Sequence, residues 1–152
     1  MAEPTATELL SPDVPDAGEP FGYQRLLGMR ITEWQEDYAV IELVIGEQHL
    51  NRSGIVHGGV LTSLLDTALS LAGLYCPEPG QVRKGMTLSL TSTFIAPARS
   101  GVLRAIGRRR GGGRSTFMSS GEVLDAEGNV VAMGEGTFRV RRASQSQTGE
   151  PA

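Results

Sequence analysis

The chain has 152 residues and a mass of 16.2 kDa, the size of one domain with one core. Hydrophobic residues make up 39% and charged residues 20%, which excludes a disordered or fibrous protein. Lys and Arg number 14 against 17 Asp and Glu, a net charge of −3 that argues against a dedicated nucleic-acid partner. The one cysteine, Cys76, excludes an intramolecular disulfide and a Cys-cluster zinc site, and His49 and His57 are too few for a His-based metal site. No metal and no cofactor is therefore expected. The opening MAEPTATELL has neither a basic segment nor an apolar one, so no secretory leader is read and a cytoplasmic location is expected.

Residues 1–20 hold five acids, no base and four prolines. Such a segment buries too little apolar surface to offset the entropy of ordering it. Residues 1–19 are read as a tail, 20–142 as the folded unit, and the small, polar 143–152 as a second tail. Phe21–Leu27 suits a short helical turn. Met29–Trp34 and Tyr38–Ile45 read as strands, the latter with Val40, Glu42 and Val44 facing opposite to Ile41, Leu43 and Ile45. Glu36-Asp37 between them suggests a hairpin. A polar loop, Gly46–Gly54, leads to the apolar block Val60–Cys76, which Pro77, Pro79 and Gly80 close. Met86–Ile95, Gly101–Arg108, Ser115–Leu124 and Val130–Val140 read as further strands, with turns at the Arg- and Gly-rich segment and at Glu127-Gly128-Asn129. Strands segregated from one long helix predict an α+β fold with an antiparallel sheet.

The helix is predicted over 58–75, about 27 Å at about 1.5 Å per residue. It is apolar on most sides, as a buried helix is, and a sheet wrapped around it would bury it. Thr62, Asp66 and Ser70 recur every four residues and share one stripe. Asp66 is the only charge in the helix. A carboxylate in apolar surroundings needs a partner or a polar pocket, and desolvation raises its affinity for a proton, as a general base requires. The plainer alternative pairs it with a backbone group or with Arg83. His57-Gly58-Gly59 leads into the helix. The first N–H groups of a helix lack intrahelical partners and lie at the positive end of its dipole, where they suit a carbonyl oxygen gaining charge. The alternative is a tight turn that needs glycine. His57 is read as holding that turn. Cys76 is read as a small core residue, and Trp34, Tyr38, Met86 and Phe94 as core or pocket wall.

The run Asn51-Arg-Ser-Gly-Ile-Val-His57-Gly58-Gly59 followed by Asp66 resembles the hotdog-fold acyl-CoA thioesterases of the PaaI and 4-hydroxybenzoyl-CoA thioesterase type. Thr93-Phe-Ile-Ala-Pro97 with Gly101, then Gly113-Arg114-Ser115, then Asp125-x-x-Gly128-Asn-Val-Val-Ala132 with Gly136-Thr-Phe extend the resemblance over residues 21–142. The resemblance implies a hotdog fold, an antiparallel sheet wrapped around one long central helix. It implies hydrolysis of a CoA thioester, with an aromatic or medium-chain acyl group. The Gly58 N–H would polarise the carbonyl, and Asp66 would serve as nucleophile or general base. Asn51 would orient thioester or water, and Ser70 would lie near the attacking water. Gly59 and Thr62 would line the substrate. The site would form at the interface of a homodimer, often within a tetramer of two dimers. Arg108, Arg109, Arg110, Arg114 and Ser115, on the predicted hairpin, would meet the nucleotide phosphates, joined by Arg141 and Arg142; a solvated cationic strand edge is the alternative. Ala96 departs from relatives that carry a CoA-contacting Arg there, which shifts that contact to Arg99 or the hairpin. No G-x-S-x-G elbow is present. A non-catalytic acyl-binding hotdog module is the competing reading, against which Asp66 weighs. A hydratase would have to use His57. A membrane helix over 58–75 is set aside because Asp66 lies near its middle.

Overall fold

In the computed structural model, residues 21–152 are described. The expected tail 1–19 lies outside them. A short helix, α1 (Gly22–Leu27), ends at Gly28, whose φ of 78° is open to glycine at little cost. Strands β1 (Met29–Gln35) and β2 (Tyr38–Val44) form the expected hairpin, with Asp37 at φ 61° in the turn. A single turn over Glu47–His49 precedes the long helix α2 (Gly58–Gly73). Then come β3 (Gln81–Val82), β4 (Gly85–Phe94), β5 (Val102–Gly112), β6 (Thr116–Leu124), β7 (Val130–Val140) and β8 (Glu150–Pro151). Six strands make one sheet in the order β1-β2-β5-β6-β7-β4, every neighbouring pair antiparallel. The sheet curls around α2, as the predicted α+β hotdog architecture requires.

The core lies between that helix and the sheet. Leu64, Leu65, Ala68 and Leu69 on α2 are fully buried against Ile41, Leu43, Leu103, Ala105, Phe117, Val131 and Phe138. Phe117 and Phe138 stack, with ring centroids 5.2 Å apart. Close approach is possible because β5 carries Gly107 beneath the helix. A Cβ there would come 2.2 Å from the Ala68 carbonyl oxygen, closer than any real contact. Gly107 therefore sets the helix-to-sheet distance on which the core packing depends.

The structure corrects three expectations. Helix α2 ends at Gly73, not at residue 75. It is not covered all round: Thr62, Ser63, Asp66, Thr67, Ser70 and Leu71 form a half-buried face. The end of the chain is not a loose tail. Arg142–Gln145 makes a helical turn, and β8 pairs with β3. What orders this polar segment is a charge cluster. Glu150, nearly buried, accepts a hydrogen bond from the Ser144 hydroxyl and lies 3.4 Å from Arg141 Nη1 and 3.6 Å from Lys84 Nζ. Arg83, offered above as a partner for Asp66, instead donates to the carbonyls of Tyr75 and Gln147. Cys76 is half-buried, its thiol 3.5 Å from the Thr148 carbonyl.

Candidate active site

The turn before α2 is built from side chains inward. Asn51 Oδ1 accepts the N–H groups of Ser53 and Ile55, closing a tight loop. Leu50 and Val56 bridge across it. His57 then caps the helix: its Nδ1 accepts the Gly59 N–H at 2.8 Å. That leaves the Gly58 N–H with no hydrogen bond among the described residues, at the positive end of the α2 dipole. The Phe94 ring lies against Gly58, where a Cβ would meet it at 3.1 Å. Phe94 is thus not core but an exposed wall beside that N–H.

His49 is the residue the sequence reading passed over. It is 1% exposed. Its Nδ1 accepts the Gly46 N–H, its Nε2–H donates to the Leu27 carbonyl, and its own carbonyl accepts the His57 N–H. Only the neutral ring with the proton on Nε2 serves both partners. His49 therefore ties α1, the polar loop and the His57-Gly58 turn together. A histidine two before Asn51 in a polar loop is the only trace of this in the sequence, and a solvated side chain reads the same way.

Asp66 lies on the half-buried face of α2, two turns beyond Gly58. Thr87 Oγ1 donates to its Oδ1 at 2.6 Å. Strand β4 has a bulge between Thr87 and Ser89. Bulges re-aim side chains, and this one lies where Thr87 meets the helix. Asp66, Thr67, Ser70 and Thr87 line an open cleft of about 320 Å³ whose other walls include Phe21, Tyr23 and Met86. Asp66 is the only charged side chain in that lining. The Ser70 hydroxyl donates to the Thr67 carbonyl at 3.1 Å, and Ser70 lines the cleft. Thr62 is half-buried on the same helix face.

The run Arg108-Arg109-Arg110 is split: Arg108 and Arg110 line one cleft of about 450 Å³ with Ser120, Glu122 and Glu135, while Arg109 lines another. Arg108 lies over the Tyr38 ring, 4.8 Å from its centroid. Arg109 is 3.8 Å from Asp37, and Arg110 donates to the Ser120 hydroxyl. Arg114 lines a different cleft, with Arg83 and Arg109, and Ser115 uses its carbonyl to accept the Val140 N–H. Arg99 donates to the carbonyls of Ser53 and Gly54, bracing the loop behind Asn51. Trp34 donates its indole N–H to the Leu71 carbonyl and packs edge-on against Tyr75. No group of His, Cys, Asp and Glu suited to hold a metal occurs among the described residues. Nor is any described helix long and apolar enough to cross a membrane.

Known proteins resemble this chain in sequence and fold. The profile of the thioesterase superfamily matches residues 53–132, from the loop before Gly58 into β7. The acyl-coenzyme A thioesterase PaaI of Escherichia coli is 30% identical over 127 residues, 83% of this chain and 86% of that protein. The structure of E. coli PaaI superposes with a TM-score of 0.68 at 28% identity, over 77% of this chain and 82% of that one. A thioesterase from Haemophilus influenzae superposes at 0.70 with 25% identity, over 78% and 82%. The chain belongs to the thioesterase superfamily and is a hotdog-fold thioester hydrolase of the PaaI type.

Proposed function

We propose that the protein hydrolyses acyl-CoA thioesters carrying an aromatic or medium-chain acyl group, with the Gly58 N–H stabilising the oxyanion and Asp66 acting as general base or nucleophile. One observation carries the reading. Gly58 and Asp66 are the free donor and the cleft carboxylate, yet they lie eight residues apart on one helix. That separates them by about 12 Å along the axis, at about 1.5 Å per residue. Attack on a thioester carbonyl needs both within about 3 Å of the reacting atoms. The two groups of one chain do not meet; those of two chains placed antiparallel do.

Strand β4 supports that pairing. It is an edge of the sheet, and it exposes Met86, Leu88 and Phe94, with Ile95 just beyond. A bare apolar edge strand is a surface for another strand. A second copy on this edge sets Asp66 of one protomer opposite the Gly58 turn of the other, and the unit is a homodimer. The notion of two dimers in a tetramer stays an extension of the same reading.

The chemistry then follows from the residues. Asp66, held by Thr87, attacks the carbonyl carbon directly or takes a proton from the attacking water. The oxyanion forms against the Gly58 N–H, which His57 leaves free by engaging Gly59. Asn51 keeps its amide N–H₂ available for the thioester or water because its oxygen alone closes the loop. The C–S bond breaks and CoA leaves as the thiolate; after direct attack, water then hydrolyses the acyl–Asp66 anhydride, and on the base route the acyl group leaves as the acid while Asp66 returns its proton to the thiolate or to water. Asp66→Asn keeps the Thr87 contact and removes the base. It lowers kcat by at least about a hundredfold, the size of a lost acid–base group, with the melting temperature retained. Thiol release from benzoyl-CoA and hexanoyl-CoA measures it. Full activity in the variant refutes the assignment of Asp66; no turnover by the unaltered chain on any acyl-CoA favours the acyl-binding module.

A further inference from the structure

The Asp66 cleft has three walls, and they are not equally firm. Helix α2 gives it Asp66 and Ser70, strand β4 gives Met86 and Thr87, and α1 gives Phe21 and Tyr23. The core backs α2, and pairing with β7 holds β4. Helix α1 has neither support. It is six residues long and buries none of them, and Phe21, Tyr23 and Leu26 are 79%, 59% and 74% exposed. A helix this short does not hold itself together in water. Its C-terminal end is fixed, because the Leu27 carbonyl accepts from the buried His49 and Gly28 turns the chain at φ 78°. Its first turn is tied to α2 by one side-chain hydrogen bond among the described residues, between the Tyr23 hydroxyl and Ser63 Oγ at 2.7 Å. Ser63 gives its own hydroxyl proton to the Gly59 carbonyl, also at 2.7 Å, so the Tyr23 O–H is the donor.

We infer that the Tyr23–Ser63 hydrogen bond latches α1 as a movable wall of the Asp66 cleft, and that this latch sets the longest acyl chain the protein accepts. This rests on the reading of that cleft as the acyl site. With the latch closed, the rings of Phe21 and Tyr23 bound a space of about 320 Å³, and a short acyl group fits beside them. A longer chain needs α1 swung away about Gly28. The tie is one exposed hydrogen bond, whose net contribution is modest, so the open form is within reach. A substrate that binds only the open form is used in proportion to the open fraction. Selectivity against long chains thus depends on a contact made outside the cleft, since Ser63 does not line it.

Three variants test this. Ser63→Ala removes the acceptor and leaves the wall as it is. Tyr23→Phe keeps the ring and removes the donor. Ser63→Thr keeps a hydroxyl. The ratio of kcat/KM for dodecanoyl-CoA to that for hexanoyl-CoA rises about threefold to tenfold in the first two, the size of one lost hydrogen bond. It stays at the unaltered value in Ser63→Thr, and kcat of Ser63→Ala on hexanoyl-CoA stays within about twofold. A second readout needs no turnover. No Lys or Arg precedes Arg25, which lies in α1, so brief trypsin treatment followed by mass spectrometry reports release of α1 as the fragment ending there. That cut quickens by a similar factor in Ser63→Ala and Tyr23→Phe, because such cleavage tracks the open population. Unchanged cleavage in both variants overturns the latch. Faster cleavage with an unchanged chain-length ratio overturns α1 as the limiting wall. If the unaltered chain turns over no ester, the hydrolase reading fails by itself, and the same ratio is read from calorimetric binding of dodecanoyl-CoA against hexanoyl-CoA, where no change on Ser63→Ala overturns the inference.

Discussion

Single residues divide the work at the turn before α2. His57 takes the Gly59 N–H and leaves that of Gly58 free; His49, one layer beneath, fixes where the turn sits. His49→Ala strands the Gly46 N–H and the Leu27 carbonyl, at about 1–3 kcal/mol for each partly buried group left unpaired. His49→Asn restores an acceptor near the Nδ1 position but not the donor. Thermal denaturation should rank the unaltered chain above the Asn variant and the Asn variant above Ala. Equal loss in both variants would contradict two separate roles for the ring nitrogens. The sequence made Asp66 conspicuous, since a lone charge among leucines announces itself. It hid Thr87, because that contact depends on a bulge created by pairing with β7. The arginine run illustrates a different point. A strand sends neighbours to opposite faces, so Arg109 is parted from Arg108 and Arg110, which share a face and one cleft.

Among the elements, those with a period were legible. Alternation marked β2, and the leucine-rich block bounded by Gly58 and the prolines marked α2. The open face of α2 was less so, because Thr62, Ser63, Asp66, Thr67 and Ser70 show where polar groups gather but not what covers them. The final segment had no apolar period to read. Its order comes from Glu150 meeting Ser144, Arg141 and Lys84, contacts made only after β3 and β7 are in place. The Ser144 hydroxyl first, then Arg141 and Lys84, hold the Glu150 carboxyl below the usual glutamate range. A depressed native value means that the ionised form stabilises the fold. That contribution is present above about pH 4.3, the ordinary glutamate value, and is lost as pH falls through the lower native value. Glu150→Gln therefore lowers the melting temperature at pH 7, and the difference from the unaltered chain shrinks toward zero in strong acid. A pH-independent difference would contradict the charge-based account of this clip. Any monomeric core of this kind leaves the same clip standing, so its loss reports on the chain end and not on the site.

For the whole molecule, the α+β class with an antiparallel sheet was readable from the order of strands and helix, and the hotdog fold and the thioesterase superfamily from the resemblance carried by the turn, the acid and the later strand motifs. On the proposed reading, Gly58 and Asp66 lie about 12 Å apart along one helix, at about 1.5 Å per residue, too far to act on one carbonyl. The proposed homodimer, with β4 of one copy against β4 of the other, is what would bring them together. The decisive measurement is complementation between two inactive variants. Asp66→Asn removes the base; Gly58→Pro removes the N–H at the first helical position, where proline is tolerated. The two purified proteins are unfolded together, refolded as a mixture and assayed for thiol release from hexanoyl-CoA. If the site spans two copies, a mixed dimer holds one site with both Gly58 and Asp66 intact. Random assortment of a symmetric dimer then restores about a quarter of the unaltered activity. If each chain holds a complete site, the mixture stays as inactive as its parts, and the shared active site proposed here is wrong.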